Sequence, residues 1–403
     1  MDFRPFKLPV QISVSTVIFV IIILSGLSYL YLYNFGPAPD NYPDEIKIGA
    51  ILPLSGSMKT YGIEIQQGIE MAVEDLNSAG GIRGKKIKVE YFDNIGSENL
   101  AVFGFKKFAD DNIPVIIGPV SSNIALVLSP LAEELKTVLI SPTATNPGLS
   151  DYKNYVFRTI SSDIYQGKGI AKVLPTLHPE IKTASVIYIN TDYGTGLKDS
   201  FEDWFPKTGR DVVLSESYEQ GETDYFSLLK KVKEAHSDAV VLIGTVEDAT
   251  TILKNADEMN LDTVWFCSEG LINEEIPESV GEYSEGICAL MQSSQIQSKE
   301  FIRRYKQRYN KTVDWPVTYG YDTTMVIAEA LSASDYSGES ISKALKYIRH
   351  LGLCGPKVCD ENGDIPPAYD IMRIENGSWV RVKWNQVVFV DDSYEENSSN
   401  ENH

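Results

Sequence analysis

The sequence predicts an α/β fold: two doubly wound parallel-sheet lobes, preceded by one N-terminal transmembrane helix. Three patterns predict it. Between residues 46 and 140, short buried-strand runs alternate with amphipathic helical stretches. The same rhythm restarts at Ser185. Helical and strand patterns return after about residue 290, which implies that the backbone crosses between the lobes more than once.

The elements follow in order. Residues 46–52 read as a buried strand. Residues 61–79 read as a helix with Ile65, Ile69, Ala72, Val73 and Leu76 on one face, stopped by Gly80-Gly81. Ile87, Val89 and Tyr91 alternate as a second strand. Ser97 caps a helix running to about 111, 115–117 is a third strand, 121–135 a helix and 137–140 a fourth strand. In the second lobe 185–189, 212–214, 239–243 and 264–266 are strands. Helices at 194–204, 225–235 and 247–259 separate them. Helices at 298–309, 318–333 and 340–348 come next, then a turn-rich 359–364 and two short strands around Ile371 and Val380. Such alternation gives a parallel sheet covered on both faces.

Composition excludes several functions. Of 403 residues 36 are Lys or Arg and 56 Asp or Glu, a formal charge of −20 that repels nucleic-acid phosphates. Residues 391–403 are polar and acidic and predict a disordered tail. Only 4 His, with no C-x-x-C or H-x-x-x-H, argue against a metal site. Four cysteines are too few for a disulfide framework. Cys354 and Cys359 are near enough to pair across a turn or to stay reduced, and a Cys267–Cys288 pair is equally open. Gly80-Gly-Ile-Arg-Gly84 ends a helix instead of opening one, and no G-x-S-x-G occurs. No enzyme activity and no cofactor are expected.

The N-terminus points to export. Arg4 and Lys7 precede residues 8–39, which hold no charge. The apolar 12–33 is long enough to span a bilayer, with Tyr29, Tyr31 and Tyr33 suited to its far interface. Residues 1–11 are then cytoplasmic, 34–45 a polar spacer and the globular part extracellular. A cleaved signal peptide is the alternative, and it too exports the globular part. Sequons at Asn310, Asn376 and Asn397 are compatible with both.

Seven segments in order resemble one known family. They are Ile48-Gly-Ala-Ile-Leu-Pro-Leu-Ser-Gly56, Asp75-Leu-Asn-Ser-Ala-Gly-Gly-Ile-Arg-Gly84, Val115-Ile-Ile-Gly-Pro-Val-Ser-Ser122, Ile140-Ser-Pro-Thr-Ala-Thr145, Asn190-Thr-Asp-Tyr-Gly-Thr-Gly196, Phe266-Cys-Ser-Glu-Gly270 and Asp360-Glu-Asn-Gly-Asp364. Together they resemble the type I solute-binding proteins of ABC importers, in particular the branched-chain amino-acid-binding proteins, over roughly residues 46–385. The resemblance implies a first lobe of 46–162 and 290–366 and a second of 163–289 and 367–390. It implies hinge strands near 159–163, 286–291 and 364–369. It implies an amino acid clamped between the lobes and delivered to permease subunits. A tethered sensory ectodomain of the same fold, or a binder of an amide, urea or nucleoside, is the competing reading.

Ligands of open α/β sheets sit at the carboxyl ends of the strands, where these motifs lie. Ser121 and Ser122 open a helix whose free N–H groups suit a carboxylate. Thr143, Ala144 and Thr145 form a loop able to contact both ends of a zwitterion. Glu269 follows a strand, and the resemblance maps it onto the family's ammonium-binding acid. Tyr61 and Tyr193 are expected aromatic walls. Thr245 stands where the family often has an aromatic, which implies a wider or more polar pocket. Asp163, at the first hinge, is expected behind the ligand contacts.

Overall fold

The computed structural model describes residues 42–292, 298–358, 364–365, 368–382 and 387–388. The expected anchor at 12–33, the acidic tail and Cys359 lie outside the described residues. Among the described residues no helix is long and apolar enough to cross a membrane.

The first lobe is built on β1 (Glu45–Leu52), β2 (Lys86–Asp93), β3 (Val115–Ile117), β4 (Val138–Ser141) and β5 (Val156–Arg158). Their order is β2-β1-β3-β4-β5, and every pair is parallel. Helices α1 (Lys59–Ser78), α2 (Glu98–Asp110) and α3 (Ser122–Leu135) connect the first four strands. Ser97 caps α2 by accepting the Leu100 N–H, as the sequence predicts. β3 and β4 are buried along their whole length, as strands covered on both faces must be.

The chain then enters the second lobe through α4 (Asp163–Leu177). It continues as β6 (Thr183–Ile189), α5 (Asp192–Trp204), β7 (Asp211–Tyr218), α6 (Phe226–Ala235), β8 (Ala239–Ile243), α7 (Val246–Glu258), β9 (Val264–Cys267), α8 (Glu275–Val280) and β10 (Cys288–Gln292). These five strands are parallel in the order β10-β9-β8-β6-β7. The chain returns to the first lobe as α9 (Lys299–Tyr309), α10 (Trp315–Ser332) and α11 (Gly338–Leu345), and adds a hairpin of β11 (Arg349–Gly352) and β12 (Gly355–Val358). It ends in β13 (Ala368–Glu375), β14 (Ser378–Arg381) and β15 (Val387–Val388), which extend the second sheet antiparallel. The backbone therefore crosses three times: after β5, after β10 and before β13. The segment 286–291, expected as a hinge, lies mostly in β10 and pairs with both β9 and β13, so the crossing follows Gln292.

Helix α10 packs directly on α1. A Cβ at Gly68 would stand 2.0 Å from the Val317 carbonyl oxygen, and one at Gly320 would stand 2.3 Å from that of Ile65. The glycines let the two backbones touch, and the contact holds the first turns of α10 against the middle of α1. Cys267 and Cys288 are both free. Cys288 pairs with Phe266 and Ala289 with Cys267, so the two thiols point to opposite faces of the sheet. The buried Cys354 thiol lies 2.8 Å from the Thr318 hydroxyl.

Arg158 ends β5 and is 2% exposed. Its Nε donates to Asp364 Oδ1 at 2.5 Å, and Nη1 donates to the Thr145 and Asn146 carbonyls at 2.9 Å each. Nη2 donates to Ser150 Oγ at 2.6 Å, and Ser150 in turn donates to Asp364 Oδ2 at 2.7 Å. One guanidinium thus joins the first crossing, the approach to the third, and the loop after β4. Arg158→Ala removes a buried guanidinium together with its ion pair to Asp364 and its bonds to two carbonyls and Ser150, so a loss of about 3–5 kcal/mol is expected in urea unfolding. Arg158→Lys should recover little, because an ammonium lacks the fork that reaches these acceptors together. A loss below about 1 kcal/mol for Arg158→Ala would contradict this role.

Candidate ligand-binding site

A cavity of about 160 Å³ lies between the lobes, at the carboxyl ends of the parallel strands. Tyr61, Ser121, Ser122, Thr143 and Thr145 line it from the first lobe, and Tyr193, Thr245 and Glu269 from the second. Ala144 does not line it. Its side chain is fully buried in the first-lobe core, and its N–H donates to Ser141 Oγ at 2.9 Å.

One end of the cavity suits an anion. Ser121 is the N-cap of α3 in extended conformation, yet its hydroxyl accepts no helix N–H. Ser122 Oγ is engaged elsewhere, accepting from the Thr145 and Asn146 N–H groups at 3.3 and 3.2 Å. Among the described residues no side chain caps the first turn of α3, and its N–H groups and dipole favour a carboxylate. The loop after β4 is fixed by its own hydroxyls. Thr143 donates to the Val120 carbonyl at 2.8 Å, and Thr145 donates to Asp163 Oδ2 at 2.7 Å. Having donated their protons, both oxygens keep lone pairs that accept from a cation.

The other end is acidic and dry. Glu269 opens a short 3₁₀ turn after β9 and is 7% exposed. Its Oε1 accepts from the Gln292 N–H at 3.3 Å, and its Oε2 from the Gln166 amide at 3.1 Å. Burial pushes its carboxyl up to about 7, against the Gln292 hydrogen bond and helped by nearby Asp163. Asp163, the first residue of α4, is 1% exposed and also lines the cavity. Burial pushes it up to about 7 as well, against the Thr145 hydrogen bond and the Arg158 charge. Among the described residues no Lys or Arg lines the cavity.

The remaining walls are mostly apolar, with Asn123, Thr191 and Gln220 among them. The Tyr61 ring lies 5.9 Å from that of Trp315, and its hydroxyl spans the cleft to the Gly270 carbonyl at 3.5 Å. Burial pushes the Tyr61 phenol up to about 12 and that of Tyr193 further still, so both are neutral walls. Thr245 caps α7: its hydroxyl donates to Asp248 Oδ2 at 2.7 Å and accepts the Asp248 N–H at 3.4 Å. With that hydroxyl turned to Asp248, Thr245 gives width without a free polar group.

Sequence reading missed Trp315 and Gln166 and set Asp163 too far back. Asp314-Trp-Pro is a helix-start signal, an acidic N-cap with proline in the first turn, and it would have placed Trp315. Gln166 sits one turn into α4, a helix whose period Gly167, Gly169 and Pro175 obscure.

The comparisons agree with this geometry. A family model described as periplasmic binding protein matches residues 45–378. The leucine-, isoleucine-, valine-, threonine- and alanine-binding protein of Pseudomonas aeruginosa is 27% identical over 328 residues, covering 80% of this chain and 87% of the relative. The Leu/Ile/Val/Thr-binding protein of Salmonella typhimurium is 28% identical over 330 residues, covering 80% and 89%. A leucine-binding protein from Thermotoga maritima aligns with a TM-score of 0.77 at 25% identity, over 84% of this chain and 97% of its own. A branched-chain amino acid transporter substrate-binding protein from Streptococcus pneumoniae, in complex with isoleucine, aligns with a TM-score of 0.74 at 26% identity, over 84% and 100%. Two parallel-sheet lobes around a cleft, matched along most of their length, establish that the chain belongs to the periplasmic binding protein family.

Proposed function

We propose that this chain is the substrate-binding component of an ABC importer, capturing an aliphatic amino acid between its lobes and delivering it to permease subunits. One observation carries the reading: a single cavity offers an uncapped helix N-terminus and a buried acid, with apolar walls between. A free amino acid has the matching carboxylate, ammonium and side chain. The names of the relatives, which bind leucine, isoleucine and valine, support the branched-chain class. Among the described residues no His or Cys lines the cavity, and we read the chain as a carrier, not an enzyme. Capture takes place outside the cytoplasm, with residues 12–33 as anchor or signal. An uncharged amide or nucleoside fits less well, because it would leave the buried Glu269 without a cation.

Calorimetric titration with leucine, isoleucine and valine tests this. Wild type should bind at least one of them, and Glu269→Ala should weaken binding by about 3 kcal/mol, roughly 100-fold. Unchanged affinity in Glu269→Ala would remove the acid from the site.

The empty protein should also show a distinctive pH response. A carboxyl raised from 4.5 to about 7 binds its proton more tightly folded than unfolded. The stability it contributes is full below pH 4.5 and is lost as pH rises through about 7. Relative to wild type, Glu269→Gln should therefore gain stability between pH 5 and pH 8, on the order of 1–3 kcal/mol. A pH-independent difference would contradict the raised carboxyl.

A further inference from the structure

The two carboxylates in the cavity differ in how they are satisfied. Glu269 has both oxygens hydrogen-bonded, to the Gln292 N–H and the Gln166 amide. Asp163 has one: Oδ2 accepts the Thr145 hydroxyl, and the fully buried Oδ1 has no hydrogen-bond partner among the described residues. Buried polar atoms left so are rare and ask for a cause. The charged and titratable groups around Asp163 do not supply one. Arg158, from β5, has its guanidinium committed to Asp364, Ser150 and two carbonyls. Tyr193 of α5, Tyr369 of β13 and Glu269 are each pushed up by the Asp163 charge, so none of them offers it a cation. Lys357, whose charge reaches Glu269, sits over the Tyr319 ring at 4.3 Å and 3.8 Å from Asp322, outside the cavity.

We propose that Asp163 Oδ1 is a second carboxylate contact for the ligand's ammonium, alongside Glu269, and that amino-acid capture therefore releases a proton to solvent. The inference rests on the amino-acid reading above and deepens it. An amino acid brings one ammonium to two carboxylates, while its own carboxylate goes to the start of α3. Two acids in one dry cavity do not both ionise without a cation between them. Raised carboxyls that hold protons in the empty cleft near neutral pH give up part of that load when the ammonium arrives. The ligand stays zwitterionic and no bond is made or broken except to the departing proton.

The test pairs a change in the protein with a change in the ligand. The full chain and its Asp163→Asn variant are titrated at pH 7 with leucine and with 4-methylpentanoate, which lacks the ammonium. Titrations in two buffers of different ionisation enthalpy count the protons released. Asp163→Asn should weaken leucine roughly 10–100-fold, leave 4-methylpentanoate unchanged or tighter, and reduce the proton release. Equal losses for both ligands would overturn the inference and leave Asp163 as a support for the Thr145 loop. Unchanged leucine affinity and proton count would also overturn it. Failure of wild type to bind any amino acid would overturn the proposed function itself, and this inference with it. Should Asp163→Asn not fold, Thr145→Val addresses the same group. Losing that hydroxyl lets the empty cleft hold the Asp163 proton more tightly, so proton release should rise, and an unchanged count would overturn the inference.

Discussion

A guanidinium buried at the seam between the lobes sets the geometry on which the cleft depends. Arg158 has no water to solvate it, so its N–H groups must find acceptors in the protein. Those acceptors belong to two stretches far apart in the chain: Thr145, Asn146 and Ser150 between β4 and β5, and Asp364 on the approach to β13. The same loop carries Thr145, whose hydroxyl and carbonyl both meet Asp163 at the start of α4. A single buried charge thus fixes where the first lobe ends, where the second begins, and where one cavity acid points.

The cleft follows from this seam and from parallel-sheet topology. The βα loops of both lobes open toward each other, and their Ser and Thr helix caps line the space between. The polar groups divide by sign: the first-turn N–H groups of α3, which the Ser121 side chain does not cap, and carboxyls after β5 and β9. Tyr61 and Trp315 close the first-lobe side, held together because α10 comes back to pack on α1. The result is a small, largely apolar chamber with one anion-seeking and one cation-seeking end.

Much of this was legible in the sequence. Strands with unbroken apolar runs, such as β8 and β9, and helices with clear caps, such as α2, declare themselves in the sequence. The site residues were legible where a motif follows a strand, as at Ser121, Thr143 and Glu269. What the sequence hides is of three kinds. β5 is three residues long, too short for any period. Helix α4 carries two glycines and a proline, and Gly167 is there because a Cβ would stand 2.5 Å from that of Ser200 on α5. Trp315 reaches the cleft only through a contact between helices about 250 residues apart in the chain. Ala144 is the converse case: its loop borders the cavity, but which of the loop's three side chains faces inward depends on the Ser141 hydrogen bond.

The proposed function requires that the cleft hold a zwitterion with an aliphatic side chain. Thermal unfolding of the full chain against a panel of amino acids, amides and nucleosides tests it most directly. A ligand that binds only the folded protein, at 100 times its dissociation constant, adds about 2.7 kcal/mol of stability. The account predicts such a shift with leucine, isoleucine or valine and none with the uncharged compounds. A shift confined to amides or nucleosides would contradict it.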